Sequence, residues 1–187
     1  MINKLIQTSI IAAFTFSIFT SFTLNPNDFT VVFSTSTVEN EIEWISWNEM
    51  VEAQKTDKRK VIIDVYTDWC GWCKHMDKTT FKDAKIAKYV NENFYAVKLD
   101  AETKEEFKFQ NHTFKYIQQG RKGINELAYS LLDGKLSYPS IVYLNENFSR
   151  IVISPGYKDE QKMQKELTYI AEEIYNKKTW ADYVSDK

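Results

Sequence analysis

The chain has 187 residues, 43% hydrophobic and 27% charged, a composition that suits one globular domain with a decoration and excludes disordered, collagen-like and low-complexity classes. Its 24 basic and 26 acidic residues interleave to a net charge of −2, so no basic stripe marks a nucleic-acid partner. Two cysteines, Cys70 and Cys73, are too few for a disulfide scaffold, and two histidines, His75 and His112, leave a metal site few ligands to draw on.

Lys4 precedes an apolar run, Leu5 to Leu24, and no further charge occurs before Asp28. One positive charge ahead of such a run is the pattern of a secretory signal, and about 20 apolar residues also suffice for a membrane anchor. The remainder is therefore expected to be exported to the periplasm, with residues 1–24 either removed or kept as a membrane tether. Residues 25–41, rich in Asn, Ser and Thr, read as a linker.

Ser46 and Glu49 form a capping-box pattern that opens a helix over about residues 47–56. Val61 to Tyr66 is a β-branched run without clean alternation, which predicts a strand buried on both faces with Asp64 inside it. The bland placement of Asp64 is a solvated strand edge. Asp83 is a plausible N-cap for a helix whose Ile86, Tyr89 and Val90 share one face, and Phe94 to Leu99 reads as a second strand.

Residues 101–137 read as a helical insertion. Thr103 to Gln119 is polar and aromatic, and Ile124, Leu127, Ala128, Leu131 and Leu132 keep helical spacing up to Gly134. Ser140–Leu144 and Ser149–Ile153 form a hairpin pattern around Asn145-Glu146-Asn147, and Pro155-Gly156 is a turn. A last helix from Asp159 carries Met163, Leu167, Ile170 and Ile174, leaving 179–187 as a tail. This order predicts an α/β fold in which a mixed sheet, parallel at the front and antiparallel at the back, is flanked by helices on both faces.

The chemistry-bearing segment is Trp69-Cys70-Gly71-Trp72-Cys73-Lys74. Two cysteines three apart, after a buried strand and at the opening of a helix, form a redox dithiol by geometry. Cys70 would meet unpaired backbone N–H groups and the positive end of the helix dipole, which favour its thiolate. Cys73, one turn inside, is shielded and can attack a mixed disulfide on Cys70. A purely structural bridge closing so short a loop gains only about 2 kcal/mol, a poor use of the only cysteines. Zinc would need two further ligands from His75, His112 or carboxylates, and covalent haem attachment needs a histidine where Lys74 stands.

The run Asp64-Val-Tyr-Thr-Asp-Trp-Cys-Gly-Trp-Cys-Lys resembles the active-site segment of the thioredoxin superfamily, and the likeness extends over about residues 42–178. It is similar to exported thioredoxin-like proteins with a Cys-Gly-Trp-Cys centre. The resemblance implies Cys70 as attacking and Cys73 as resolving cysteine, Asp64 as the buried acid exchanging a proton with Cys73, and Lys98 as that acid's partner. It implies Pro139 in a cis-proline loop facing the dithiol, where the plain alternative is a trans turn proline, and Trp69, Gly71, Trp72 and Tyr138 beside it in the substrate groove. Independently of any resemblance, a carboxyl inside an apolar strand is desolvated and its pKa is raised. Trp72 stands where thioredoxins have proline and Tyr138 where threonine is usual, and the 103–137 segment is longer than a minimal thioredoxin's.

The expected function is an exported thiol–disulfide oxidoreductase that reduces disulfides of exported proteins, without cofactor or metal. The resemblance implies a membrane or exported dithiol as its electron donor. The alternatives are a disulfide isomerase or oxidase, and a client-binding or assembly module on the same scaffold with an incidental dithiol.

Overall fold

The computed structural model describes residues 40–119 and 122–186. The apolar run 5–24 and all but the last two residues of the expected linker lie outside the described residues.

A five-stranded mixed sheet is ordered β1-β3-β2-β8-β9. β2 (Lys60–Tyr66) forms where five apolar or aromatic residues, interrupted only by Asp64, can be covered from both sides. It runs parallel to β3 (Phe94–Asp100) and antiparallel to β8 (Ser140–Leu144). That register sets Asp64 beside Lys98 on one neighbour and Ile141 on the other. β1 (Trp44–Ile45), which the sequence reading does not contain, adds two residues to the outer side of β3, and β9 (Arg150–Pro155) closes the far edge against β8.

Helices cover both faces. On one face α1 (Trp47–Ala53) and α4 (Glu126–Leu131) bury Trp47, Met50, Leu127 and Leu131 against Ile63, Val65, Val97 and Val142. On the other, α2 (Gly71–Lys78), α3 (Ala84–Asn93) and α5 (Glu160–Ala171) bury Met76, Ile86, Val90, Met163, Leu167 and Ile170 against Ile62, Ala96, Ile141 and Tyr143. Each such fully buried aliphatic side chain contributes about 1.5–3 kcal/mol. Two caps are those expected: Ser46 with Glu49 forms a complete capping box, and the Asp83 carboxylate accepts the first free N–H groups of α3; the Asp159 carboxylate caps α5 in the same way, accepting from Lys162 N–H.

The insertion differs from expectation. Residues 103–119 are not helical: β4 (Phe107–Phe109) pairs with β5 (His112–Phe114), and β6 (Tyr116–Gln119) pairs with β7 (Lys122–Asn125). The period is two, with Phe107 turned into the core and Lys108 out, and the β4–β5 turn places Gln110 at φ +48°. Ile124, expected on the helix, is a β7 residue, and α4 starts at Glu126 because the Asn125 side chain caps Leu127 N–H. It ends at Leu131, and two left-handed residues beyond it, Asp133 at φ +51° and Gly134 at φ +68°, stop the helix.

The C-terminal tail also differs. Residues 180–185 form α6 (Trp180–Ser185), capped by Thr179, and Trp180 and Tyr183 lie against Tyr169 of α5 at ring separations of 5.3 and 5.2 Å. Ile174 falls in a single 3-10 turn beyond α5 rather than on it. Among the described residues no helix is long and apolar enough to cross a membrane.

Candidate active site

β2 ends at Tyr66 and α2 begins at Gly71, so the intervening turn brings Cys70 to the N-cap of α2 at the end of the sheet. There the Cys70 sulfur accepts the Cys73 backbone N–H at 3.1 Å, one of the donors that a helix start leaves without an intrahelical partner. Cys70 and Cys73 are joined as a disulfide and are 5% and 2% exposed. The residues flanking them are the reverse: Trp69 is 57% and Trp72 61% exposed. The disulfide is thus a small buried centre within an apolar, solvent-facing rim.

Asp64 is buried two residues along β2 from Ile62, on the face that α2 covers with Cys73 and Met76. It does not lie at a solvated edge. Its Oδ2 is 3.6 Å from Lys98 Nζ, and its Oδ1 has no hydrogen-bond partner among the described residues. Burial pushes the Asp64 carboxyl up to about 7, against the pull of Lys98 and with the help of the like charge on Asp77.

Asp77 is a site residue the sequence reading missed. It sits four residues beyond Cys73 on α2, and its Oδ1 makes the closer contact to the same Lys98 ammonium. Lys98 is further surrounded by the rings of Tyr66 (4.9 Å), Trp44 (5.5 Å) and Phe81 (5.9 Å). These attractive faces hold the cation without satisfying Asp64 completely. The i, i+4 spacing from Cys73 was the available signal for Asp77.

Two aromatic groups frame the disulfide. On one side, Tyr138 meets the Trp69 ring edge-on at 5.9 Å, the Trp69 indole N–H donates to Glu102 at 2.9 Å, and Lys122 Nζ stands 4.5 Å from the Trp69 ring centre. With Gly123, Ile124, Leu136 and Ser137 they line a groove of about 350 Å³. Burial, with Glu102 and Asp100 nearby, pushes the Tyr138 hydroxyl up to about 12. Glu102 and Lys122 come from outside the sequence-derived site, Lys122 on the insertion's second hairpin. On the other side, Trp72, His75 and Tyr157 form a ring cluster with separations of 5.3–5.8 Å.

Pro139 directly precedes β8, and the Tyr138–Pro139 peptide is cis. Its carbonyl accepts the Gly156 N–H at 2.8 Å, tying the loop to the turn after β9. Gly71, the first residue of α2, is exposed and a Cβ there would meet nothing within 4 Å. His112 is remote from this constellation, 3.9 Å from Glu126 on the insertion. Among the described residues no group of His, Cys, Asp and Glu side chains could hold a metal ion.

Residues 28–182 match the family model described as Thioredox_DsbH, protein of unknown function, DUF255. An uncharacterised protein of Caenorhabditis elegans is 34% identical over 64 residues, 34% of this chain and 9% of that protein. The thiol:disulfide interchange protein DsbD of Ralstonia nicotianae is 44% identical over 39 residues, 21% of this chain and 6% of that one. What this chain matches is therefore less than a tenth of the length of either relative. Among solved structures, a thioredoxin-fold protein from Helicobacter pylori superposes with a TM-score of 0.55 at 16% identity, covering 80% of this chain and 88% of that one. That likeness establishes the fold: a mixed sheet with flanking helices of the thioredoxin type.

Proposed function

We propose that this chain, which belongs to the Thioredox_DsbH (DUF255) family, is an exported thiol–disulfide oxidoreductase that reduces disulfides in exported proteins. The observation that carries the reading is the Cys70–Cys73 disulfide at the N-cap of α2, buried itself but set in an exposed aromatic rim.

The cycle starts from the reduced pair. The Cys70 thiolate attacks one sulfur of a client disulfide, that S–S bond breaks, and the displaced client sulfur takes up a proton from solvent. Asp64 then accepts the Cys73 thiol proton, Cys73 attacks Cys70 in the mixed disulfide, and the second client sulfur leaves and is protonated. The client has gained two electrons and two protons, and the protein holds the Cys70–Cys73 disulfide seen in the structure. A carboxyl near neutrality is matched to this transfer, because it can accept the proton and return it.

Trp69, Gly71, Trp72, Tyr138 and Pro139 form the client groove in this reading, and Lys98 holds Asp64. Export rests on the apolar run 5–24 behind Lys4. A membrane-bound or exported dithiol returns the electrons, a role to which the likeness to a thiol:disulfide interchange protein lends support.

Insulin reduction with a supplied dithiol tests the reading. Wild-type turnover with none in Cys70→Ser is expected, and an equal rate in Cys70→Ser, or none in wild type, overturns it. Cys73→Ser, which leaves the mixed disulfide unresolved, identifies the clients. The exposed Trp69, Trp72 and Leu136 favour a second reading, a client-binding module with an incidental dithiol. That reading requires a wild type without turnover whose client binding survives loss of both cysteines.

A further inference from the structure

Lys158 lies between the turn at Gly156 and Asp159, the N-cap of α5, and it is fully buried. Its ammonium donates to the carbonyls of Ser154 at 2.8 Å and Gly156 at 2.7 Å. Its own carbonyl accepts the Thr80 hydroxyl at 2.6 Å, and Thr80, also buried, opens the single 3-10 turn that follows α2. Gly156, at φ +86°, in turn donates its N–H to the Pro139 carbonyl at 2.8 Å. The end of the cysteine-bearing helix, the end of β9 and the loop beside the dithiol are therefore connected through one side chain and its backbone.

Stability does not account for a lysine at this position. Burying an ammonium carries a large desolvation cost, and among the described residues no carboxylate forms an ion pair with it to offset that cost. Glu166 on α5 and Asp64 on β2 favour its charge through space, while Lys162 on α5 opposes it. A methionine would fill the volume more cheaply, but it would leave the carbonyls of Ser154 and Gly156 without these donors. What the lysine adds is geometry.

We propose that Lys158 is a positioning residue for client binding, holding the Ser154–Gly156 turn, and through Gly156 the Pro139 loop, in fixed register with the α2 dithiol. The inference rests on the redox reading above and adds a residue to the client side of that same site. Burial lowers the Lys158 ammonium to about 8, so its charge, and with it the stronger form of both hydrogen bonds, fades just above neutral pH.

Two measurements on the whole chain test this. In insulin reduction, Lys158→Met is expected to raise KM about tenfold with kcat within about twofold, and Lys158→Gln, which keeps an amide donor, falls between. An unchanged KM in Lys158→Met, or a loss confined to kcat, overturns the proposal. Wild type that reduces no insulin overturns the redox reading instead. In that case, or if the variants do not fold, NMR titration of the oxidised wild type from pH 6 to 10 decides. The Pro139 and Gly156 resonances are expected to move with the midpoint of Lys158 Nζ, and resonances that stay still through it overturn the proposal.

Discussion

Asp64 and Asp77 converge on one ammonium, that of Lys98, and Asp77 holds it the more closely. The buried carboxyl of Asp64 therefore has a counter-ion it must share with a half-exposed competitor. The two partners act on it with opposite sign: Lys98 draws the Asp64 pKa down, and Asp77 pushes it up.

Substitutions at these two positions should consequently move Asp64 in opposite directions. Lys98→Met raises its pKa above about 7, and Asp77→Asn lowers it. Carboxyl ¹³C shifts of Asp64 followed through a pH titration read both, and shifts in the same direction would refute the shared-lysine arrangement.

The same carboxyl makes stability depend on pH. Asp64 titrates near 3.8 in the unfolded chain and at about 7 in the fold, so between these values the folded state holds a proton that the unfolded state has lost. Its contribution to stability is complete below the unfolded pKa and fades as pH rises towards 7, by up to about 4 kcal/mol at ~1.4 kcal/mol per unit. Denaturation of the oxidised protein between pH 4 and 8 measures it. Asp64→Asn should remove this component of the slope, and a variant with the wild-type slope would contradict the assignment.

Asp64→Asn should also slow resolution of the mixed disulfide. A positioned proton acceptor contributes about 10²–10⁴-fold, so a loss of at least about 100-fold is expected. Single-turnover release of a mixed disulfide from Cys70 reports this step alone, and a rate within a few-fold of wild type would remove Asp64 from the proton path.

The reduction potential of the Cys70–Cys73 pair should lie nearer the thioredoxin scale of about −270 mV than the strongly oxidising scale of about −120 mV. Equilibration against glutathione or a reference dithiol measures it. A value near the oxidising end would assign the protein to disulfide formation.

The C-terminal helix should stabilise the fold modestly. Trp180→Ala removes an aromatic contact with Tyr169 and is expected to cost about 0.5–1.5 kcal/mol. Leu167→Ala, in the core, should cost about 2–5 kcal/mol. Urea unfolding compares them, and equal losses would show α6 to be part of the core.

The parts of the molecule that sequence made legible are those whose signal is local. β2 is a continuous apolar run around a single acid, and Ser46, Asp83 and Asp159 are caps that act within three residues of themselves. Cys70 and Asp64 could be placed for the same reason. The two hairpins between Phe107 and Asn125 were not legible because each strand has only three or four residues and Gln110 adopts its left-handed turn without a residue type that demands it. Asp77 and Lys158 lie outside the site that the sequence outlines. Their partners, Lys98 and the Ser154 carbonyl, come from other strands, and only the closed fold brings them near. α6 depends on Tyr169, eleven residues before Trp180, which no local pattern announces.

The borders of the sheet bear on what kind of chain the protein can meet safely. One border is a strand of two residues, and the other opens with Arg150, carries a register break against Tyr143 and Leu144, and stops at Pro155. Short, charged, kinked and proline-ended borders are poor templates for strand addition. A protein that handles partly unfolded polypeptides on the proposed reading is thus guarded against being recruited into their aggregates, and encounters are directed to the end of the sheet where the sulfurs lie.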